Sequence, residues 1–341
     1  MSLQFELISA PERFEALQYE WNNLLPGNAT NEVFLTWEWQ STWWQAYQPG
    51  DLFVITARDE AGKLVGIAPW FCEAGSRVIR PIGCVEVTDY LDSIIRPDLR
   101  KAFFAGVAEI LLEQRATYSR ICLCNTPATS PTLEEFTPLL AAYGFETEIR
   151  QQEVCPVIVL PSDFETYLGQ LDKKQRHEAR RKLRRAEASE SRVSWYIAGP
   201  EHDLEDEIER FARLMAASHT AKSAFLQDPQ NAAFFHAIIP RMALCGWLQL
   251  AFMTVNDEPA AAYLNFDYDN RILVYNSGLD SERFGALSPG IVLLLHLIRD
   301  AIEKRRTVFD FLRGDEEYKF RMGGQERPVM EIRAQLPGTA A

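Results

Sequence analysis

The sequence predicts an α/β (α+β) protein with two domains, each a mixed sheet flanked by helices. The chain has 341 residues, which is more than one domain usually contains. Both halves alternate β-type runs, joined by turns such as Asp269-Asn270, with amphipathic helical patterns. The composition, 47% hydrophobic and 11% aromatic, supports sizeable cores and excludes a disordered chain.

The first domain is expected over residues 1–158. Its predicted elements are a strand at 5–8, helices at 14–25 and 34–44, a hairpin of strands at 52–57 and 64–71, a helix at 99–115, a strand at 120–124 and a helix at 133–143. The bulky aromatic residues of 34–44 are interpreted as core packing, with a ligand cage as the alternative.

The second domain is expected over residues 159–341 and contains a basic helix at 164–189. Eight cations fall within thirteen residues of this helix, although the chain carries a net charge of −13: Lys173, Lys174, Arg176, Arg180, Arg181, Lys182, Arg184 and Arg185. The run is either a solvated face or a surface that attracts anions. No groove-binding motif accompanies it, so no DNA partner is expected. Helices at 201–217 and 225–243 and a strand at 247–255 follow.

Residues 260–321 form the stretch around which the second domain is organised. Strands are predicted at 255–266 and 272–275, and Ser288-Pro289-Gly290 is typical of a helix start, with Ser288 at the N-cap. Apolar residues then repeat at helical spacing from Ile291 to Ile302. Asp310 lies within an apolar β-type run at 308–312, where an unpaired carboxylate would be costly, so it is expected to be bonded or used in chemistry.

Several motifs resemble those of one family. NSG at 276–278, SPG at 288–290 and DFLRGDEEYKFRMG at 310–323 are similar to the C-terminal signature of the CelD/BcsL-type acetyltransferases, which are FemAB-like members of the GNAT superfamily. FLTW at 34–37, DYLD at 89–92 and the basic helix extend the likeness over nearly the whole chain. The resemblance implies two tandem GNAT-like domains, exopolysaccharide or cellulose biosynthesis, and acyl transfer from acyl-CoA to an amine or hydroxyl of a sugar or cell-envelope precursor.

One departure from the family pattern leaves the donor open. The phosphate-binding loop usual in GNAT enzymes, Arg/Gln-x-x-Gly-x-Gly/Ala, is replaced here by RFGALSPG at 283–290. Acyl-CoA is the expected cosubstrate, and aminoacyl-tRNA, the donor of the FemABX enzymes, is the alternative. A non-catalytic binding module of polysaccharide assembly is a third reading.

Under the first reading, the helix start supplies the donor site. The amides of Gly290 and Ile291, with Ser288, would face the pyrophosphate of CoA, because a helix N-terminus favours an anion. A capped helix that binds nothing is the structural alternative. Acyl transfer also requires a base and a donor for the developing oxyanion.

The candidate catalytic residues follow the same motifs. Asp310 and Asp315 are the candidate bases, Arg313 and Lys319 the anion or oxyanion partners, and Tyr275 the acid that protonates a thiolate. A catalytic role is favoured for the 310–319 segment, against the alternative of buried salt-bridge scaffolding. Three residues of the first domain are expected to hold the acceptor if the halves face one cleft: Asp89, Tyr90 and Asp92.

The remaining features predict little chemistry. The six cysteines show no C-x-x-C pair and are interpreted as reduced core residues, and the five histidines show no ligand spacing, so no metal is expected. No apolar run reaches the ~18 residues that a membrane span requires, and the N-terminus lacks a signal-peptide pattern. We therefore expect a soluble, cytoplasmic protein.

Overall fold

The computed structural model describes residues 2–84 and 87–337. They divide into two compact units: unit 1 is drawn from Met1–Val154 and Arg327–Ala341, and unit 2 is Cys155–Glu326. The domain division expected near residue 158 stays a prediction. Met1 and residues 338–341, which the predicted domain ranges include, lie outside the described residues.

The described residues form both helices and strands along their whole length. The strands are β1 (Gln4–Ile8), β2 (Gly50–Arg58), β3 (Leu64–Glu73), β4 (Val78–Pro81), β5 (Ile94–Ile95), β6 (Arg120–Pro127), β7 (Glu146–Val159), β8 (Val193–Ile197), β9 (Leu248–Val255), β10 (Glu258–Tyr268), β11 (Arg271–Leu279), β12 (Val308–Asp310) and β13 (Gln325–Gln335). The helices are α1 (Pro11–Glu15), α2 (Gln18–Trp21), α3 (Trp37–Tyr47), α4 (Arg100–Glu113), α5 (Thr137–Ala142), α6 (Phe164–Gln170), α7 (Lys173–Glu187), α8 (Leu204–Ser218), α9 (Thr220–Gln227), α10 (Pro229–Leu244), α11 (Ser281–Phe284), α12 (Pro289–Glu303) and α13 (Glu317–Arg321).

Unit 1 is built on a mixed sheet. Its strands follow the order β1-β2-β3-β4-β6-β13, with β5 paired to β3. The pairs are antiparallel except for β4 and β6, which are parallel. Phe103, Phe104 and Val107 of α4 are buried in one cluster with Ile55 and Ile332 of the sheet. This burial of a helix face against strands is what holds the unit together.

Unit 2 is likewise built on strands of mixed direction. Their order is β7-β12-β11-β10-β9-β8, antiparallel except for the parallel pair β11 and β12. α12 is apolar around most of its surface and lies in the core between the sheet and α7. α8 packs on β10 and β11, and Gly278 permits the close approach, because a Cβ there would lie 2.3 Å from Met215 N. The predicted α/β class, mixed sheets flanked by helices, is confirmed.

Three predicted helices are interrupted, and short polar caps explain the main breaks. The segment 164–189 is two helices, α6 and α7, because the Asp172 side chain accepts from Gln175 N at 2.9 Å and starts a new helix. The segment 225–243 divides likewise at Asp228, whose carboxylate accepts from Gln230 N, with Pro229 at the first helical position. Residues 14–25 fall into α1, α2 and a 3-10 helix.

Cysteine pairing corrects one interpretation. Cys84 and Cys124 form a disulfide, so the prediction of reduced cysteines was wrong for these two. The two cysteines are 40 residues apart in sequence, and they come together because β6 runs parallel beside β4. Cys122 is a buried thiol bonded to the Glu331 carboxylate at 3.1 Å, and burial raises its pKa to about 11.

The described residues contain neither a single helix able to span a membrane nor a side-chain cluster suited to a metal ion. Within them, no single helix is both long and apolar enough to cross a bilayer, although the bent pair Ser281–Leu287 and Pro289–Glu303 meets the same length and composition criteria when taken together. Across residues 2–84 and 87–337 there is also no group of three or more His, Cys, Asp or Glu side chains placed to hold a metal ion.

Candidate active site

In unit 2, β12 pairs with only the first three residues of β11. The parallel pairing joins Arg271–Leu273 to Val308–Asp310, whereas β11 continues to Leu279. The register with β10 shifts at Leu264/Asn265, which makes Tyr275 the extra residue of a β-bulge. Crevices beyond the carboxyl ends of parallel strands commonly bind ligands, and bulges are frequent beside active sites.

The start of α12 lies beside the end of β11. Ser288 occupies the predicted N-cap position in a left-handed conformation (φ 54°), but its side chain makes no capping bond. Its Oγ instead accepts from Lys182 Nζ and Arg185 Nη2, each at 2.9 Å. Val292 N makes the first bond of the helix to Ser288 O, so the amides of Gly290 and Ile291 precede that ladder.

Two cations therefore meet at the positive end of a helix. Since both nitrogens lie 2.9 Å from one oxygen, they are at most about 5.8 Å apart, which corresponds to a repulsion of roughly 3 kcal/mol at an effective dielectric of ~20. Burial and the Arg185 charge lower the pKa of Lys182. Arg185 Nε is buried without a partner among the described residues. An anion bound here would relieve the repulsion.

The loop after β12 is fixed by one lysine. Lys319 is 4% exposed, and its Nζ donates to the carbonyls of Leu312, Arg313 and Gly314 at 3.3, 2.6 and 3.3 Å. The same ammonium pairs with Glu316 Oε2 at 2.8 Å. Asp310 is buried and accepts from Leu312 N at 2.8 Å. These bonds hold Leu312 at φ 56°, a conformation that is strained for a branched side chain.

The other predicted catalytic residues differ in their surroundings. Asp315 is exposed on the loop, and Arg313 is half-buried. Tyr275 packs against the rings of Phe235 and Phe266, with centroids 5.8 and 5.1 Å away. The structure thus brings Asp310, Arg313 and Lys319 into one loop, and their catalytic roles stay predictions.

The predicted acceptor residues lie in unit 1. Asp92 is buried and accepts from the hydroxyls of Thr30, Ser130 and Thr132 and from Ser93 N. Desolvation raises the pKa of Asp92 despite these bonds. Asp89 and Tyr90 are also buried, and Tyr90 packs against Phe34. Such a network ties together the segments of unit 1 around residues 28–30, 92 and 130–132.

Sequence reasoning missed three contributors. Lys182 and Arg185 were visible only as members of a long basic run, and the signal that could single them out is their i, i+3 spacing on one helix face. Lys222 of α9 carried no motif, yet its Nζ donates to Ser277 O at 2.5 Å, and burial lowers its pKa to about 8. No local pattern relates α9 to a strand fifty-five residues later.

Comparison with known proteins found a match over the region that contains this site. Residues 173–320 match the family model of the acetyltransferase (GNAT) domain. The fold resembles the crystal structure of FemX (TM-score 0.65, 12% identity, 96% of each chain), L-PGS from Bacillus licheniformis (0.56, 11%, 97% of this chain and 93% of that one) and a tandem GNAT protein from the clavulanic acid biosynthesis pathway (0.50, 13%, 97% and 98%). No curated protein sequence matches the chain.

The region that matches the GNAT acetyltransferase domain model, residues 173–320, begins with the cationic helix α7 and ends with Phe320 in α13. The α/β fold of the chain resembles those of FemX and of the tandem GNAT protein. The match contains the Lys182–Arg185–Ser288 cluster, the parting of β11 from β12, and the loop held by Lys319.

Proposed function

We propose that this protein is an acyltransferase that moves an acyl group from acyl-CoA to an amine or hydroxyl of a sugar or cell-envelope (exopolysaccharide) precursor. The observation that carries the proposal is the pair of cations, Lys182 and Arg185, directed at Ser288 beside the amides of Gly290 and Ile291. A diphosphate is the anion that such a cluster suits, because it accepts from several donors at once.

The rest of the donor then has a path along β11. Leu279 lies beside the helix start, since its Cδ2 is 3.8 Å from where a Cβ on Gly290 would be. Leu279 lies four positions beyond the bulge at Tyr275, roughly 13 Å along a strand. An extended arm bound by its phosphates at α12 would run past Ser277 toward the loop of Arg313 and Asp315, which we infer contacts the acceptor.

Isothermal titration calorimetry with acetyl-CoA tests the donor site. Lys182→Gln and Arg185→Gln each remove a charge-assisted bond to phosphate, so we expect each to weaken binding about tenfold or more. Lys174→Gln removes an exposed lysine from the same helix and serves as the control. Equal affinities in all four proteins, or no binding at millimolar acetyl-CoA, would contradict the proposal.

An aminoacyl-tRNA donor is the second candidate, and one surface favours it. The exposed face of α7 borders an open cavity of about 780 Å³ whose lining includes Lys173, Lys174, Arg176 and Arg184. A polyanion would suit this surface. Binding of charged tRNA that weakens steeply with salt, together with no binding of acetyl-CoA, would select this function. Binding of acetyl-CoA without turnover would instead indicate a binding module.

A further inference from the structure

Lys222 is a half-buried cation that the donor site does not use. It extends from α9 to β11, where its Nζ donates to Ser277 O at 2.5 Å and lies 3.5 Å from Ser277 Oγ. Ser277 belongs to the part of β11 beyond the pairing with β12. The lysine therefore reaches the region through which the donor arm is proposed to run.

Three elements meet around this amine. The charges of Glu316 and Lys319 act on Lys222 with opposite sign, so the loop after β12 lies close to α9 and to Ser277. Lys319 is already committed to three carbonyls and to Glu316. Burial and the Lys319 charge lower the pKa of Lys222 to about 8, and Glu316 opposes the change. Near that pH, much of Lys222 is a neutral amine with a free electron pair.

We propose that Lys222 is the general base of acyl transfer in this protein. The proposal rests on the proposed function, since it requires an acyl thioester at β11. Asp315 is exposed on its loop and Asp310 bonds Leu312 N, whereas Lys222 combines proximity to the reaction path with a proton that can leave. A base works best when its pKa is close to the working pH.

The step balances without any further reactant. The acceptor nitrogen or oxygen attacks the thioester carbon as Lys222 takes its proton, so a bond from that atom to the acyl carbon forms. The carbon–sulfur bond then breaks, and its electron pair leaves with the sulfur of CoA. Lys222 returns the proton to this thiolate, which yields free CoA, the acylated acceptor and a neutral amine.

Two variants of Lys222 separate a base from a structural cation. Lys222→Arg keeps a donor for Ser277 O but cannot lose its proton, and Lys222→Met removes both properties. We measure consumption of acetyl-CoA by the loss of thioester absorbance, with D-glucosamine as the amine probe and with water alone, from pH 6 to 10. The wild-type rate should rise through about pH 8, and both variants should fall by roughly 100-fold or more.

Calorimetry on the same proteins separates the role of Lys222 from the proposed function itself. Unchanged affinity for acetyl-CoA in both variants shows that the donor site is intact, so the kinetics then judge Lys222 alone. Full activity in Lys222→Arg overturns the proposal. Equal rates in the wild type and Lys222→Met also overturn it, whether those rates are high or at background. If the wild type does not bind acetyl-CoA, the proposed function is overturned, and the role of Lys222 with it. Lys304→Met, an exposed lysine at the C-cap of α12, serves as the activity control.

Discussion

Lys319 shows how one residue can set the geometry of a loop. Its ammonium is almost fully buried, and it satisfies the carbonyls of Leu312, Arg313 and Gly314 while pairing with Glu316. Gly314, at φ 115°, permits the turn that points these carbonyls inward. The contacts favour a structural role for Lys319, although the sequence motif favoured catalysis for the same segment.

Replacing Lys319 tests that role directly. Lys319→Met leaves three carbonyls and a carboxylate without their cation, so we expect the free energy of unfolding to fall by about 3 kcal/mol. Lys304→Met is the matched control, because it breaks a single pair between an exposed lysine and the half-buried Asp300 and should cost about 1 kcal/mol or less. Urea denaturation measures both values. An unchanged midpoint for Lys319→Met, with activity lost, would instead support catalysis.

Single elements explain how much the sequence could predict. α12 was predictable because its apolar residues repeat at helical spacing after Ser288-Pro289. The breaks at Asp172 and Asp228 were not, because an aspartate inside a helical pattern becomes a cap only when its carboxylate turns to the backbone. The contact of Lys222 with Ser277 and the disulfide of Cys84 with Cys124 depend on topology, which local patterns do not contain.

α12 also contains a histidine whose charge the fold opposes. His296 stacks on Trp195 at 5.1 Å beside a small cavity that Glu187 also lines. Burial and the Arg299 charge lower the pKa of His296 to about 4. The unfolded chain, with an ordinary value of ~6.5, binds this proton first as the pH falls. The free energy of unfolding therefore decreases as the pH falls from about 6.5 to 4.

His296→Phe should remove that pH dependence. We expect the urea midpoint to fall less between pH 7 and pH 4.5 in the variant than in the wild type. The reason is that phenylalanine can stack on Trp195 without binding a proton. His236→Phe, an exposed position on α10, is the control and should follow the wild type. Urea denaturation at pH 7 and pH 4.5 compares the three proteins. Parallel losses in His296→Phe and the wild type would contradict the assignment.

At the scale of the whole molecule, the chain returns to unit 1 after completing unit 2. β13 pairs antiparallel with β6 from Ile332↔Leu123 to Ala334↔Ile121, and Ile332 is buried with the core of unit 1. The predicted division, by contrast, gave residues 159–341 to one C-terminal domain. No strand was predicted after residue 312, and the partner of β13 could not be predicted either, because strand pairing is decided by contacts distant in sequence.

Hydrogen exchange on the full chain tests which elements lose protection when β13 is weakened. Ile332→Ala creates a cavity costing about 2–5 kcal/mol, and we expect lost protection in β6 and β3 while β10 and α12 keep theirs. Ile298→Ala, a buried isoleucine of α12, is the matched variant and should give the reverse pattern. If Ile332→Ala instead exposes β10 and α12, the final strand belongs with the C-terminal domain, as the predicted division has it.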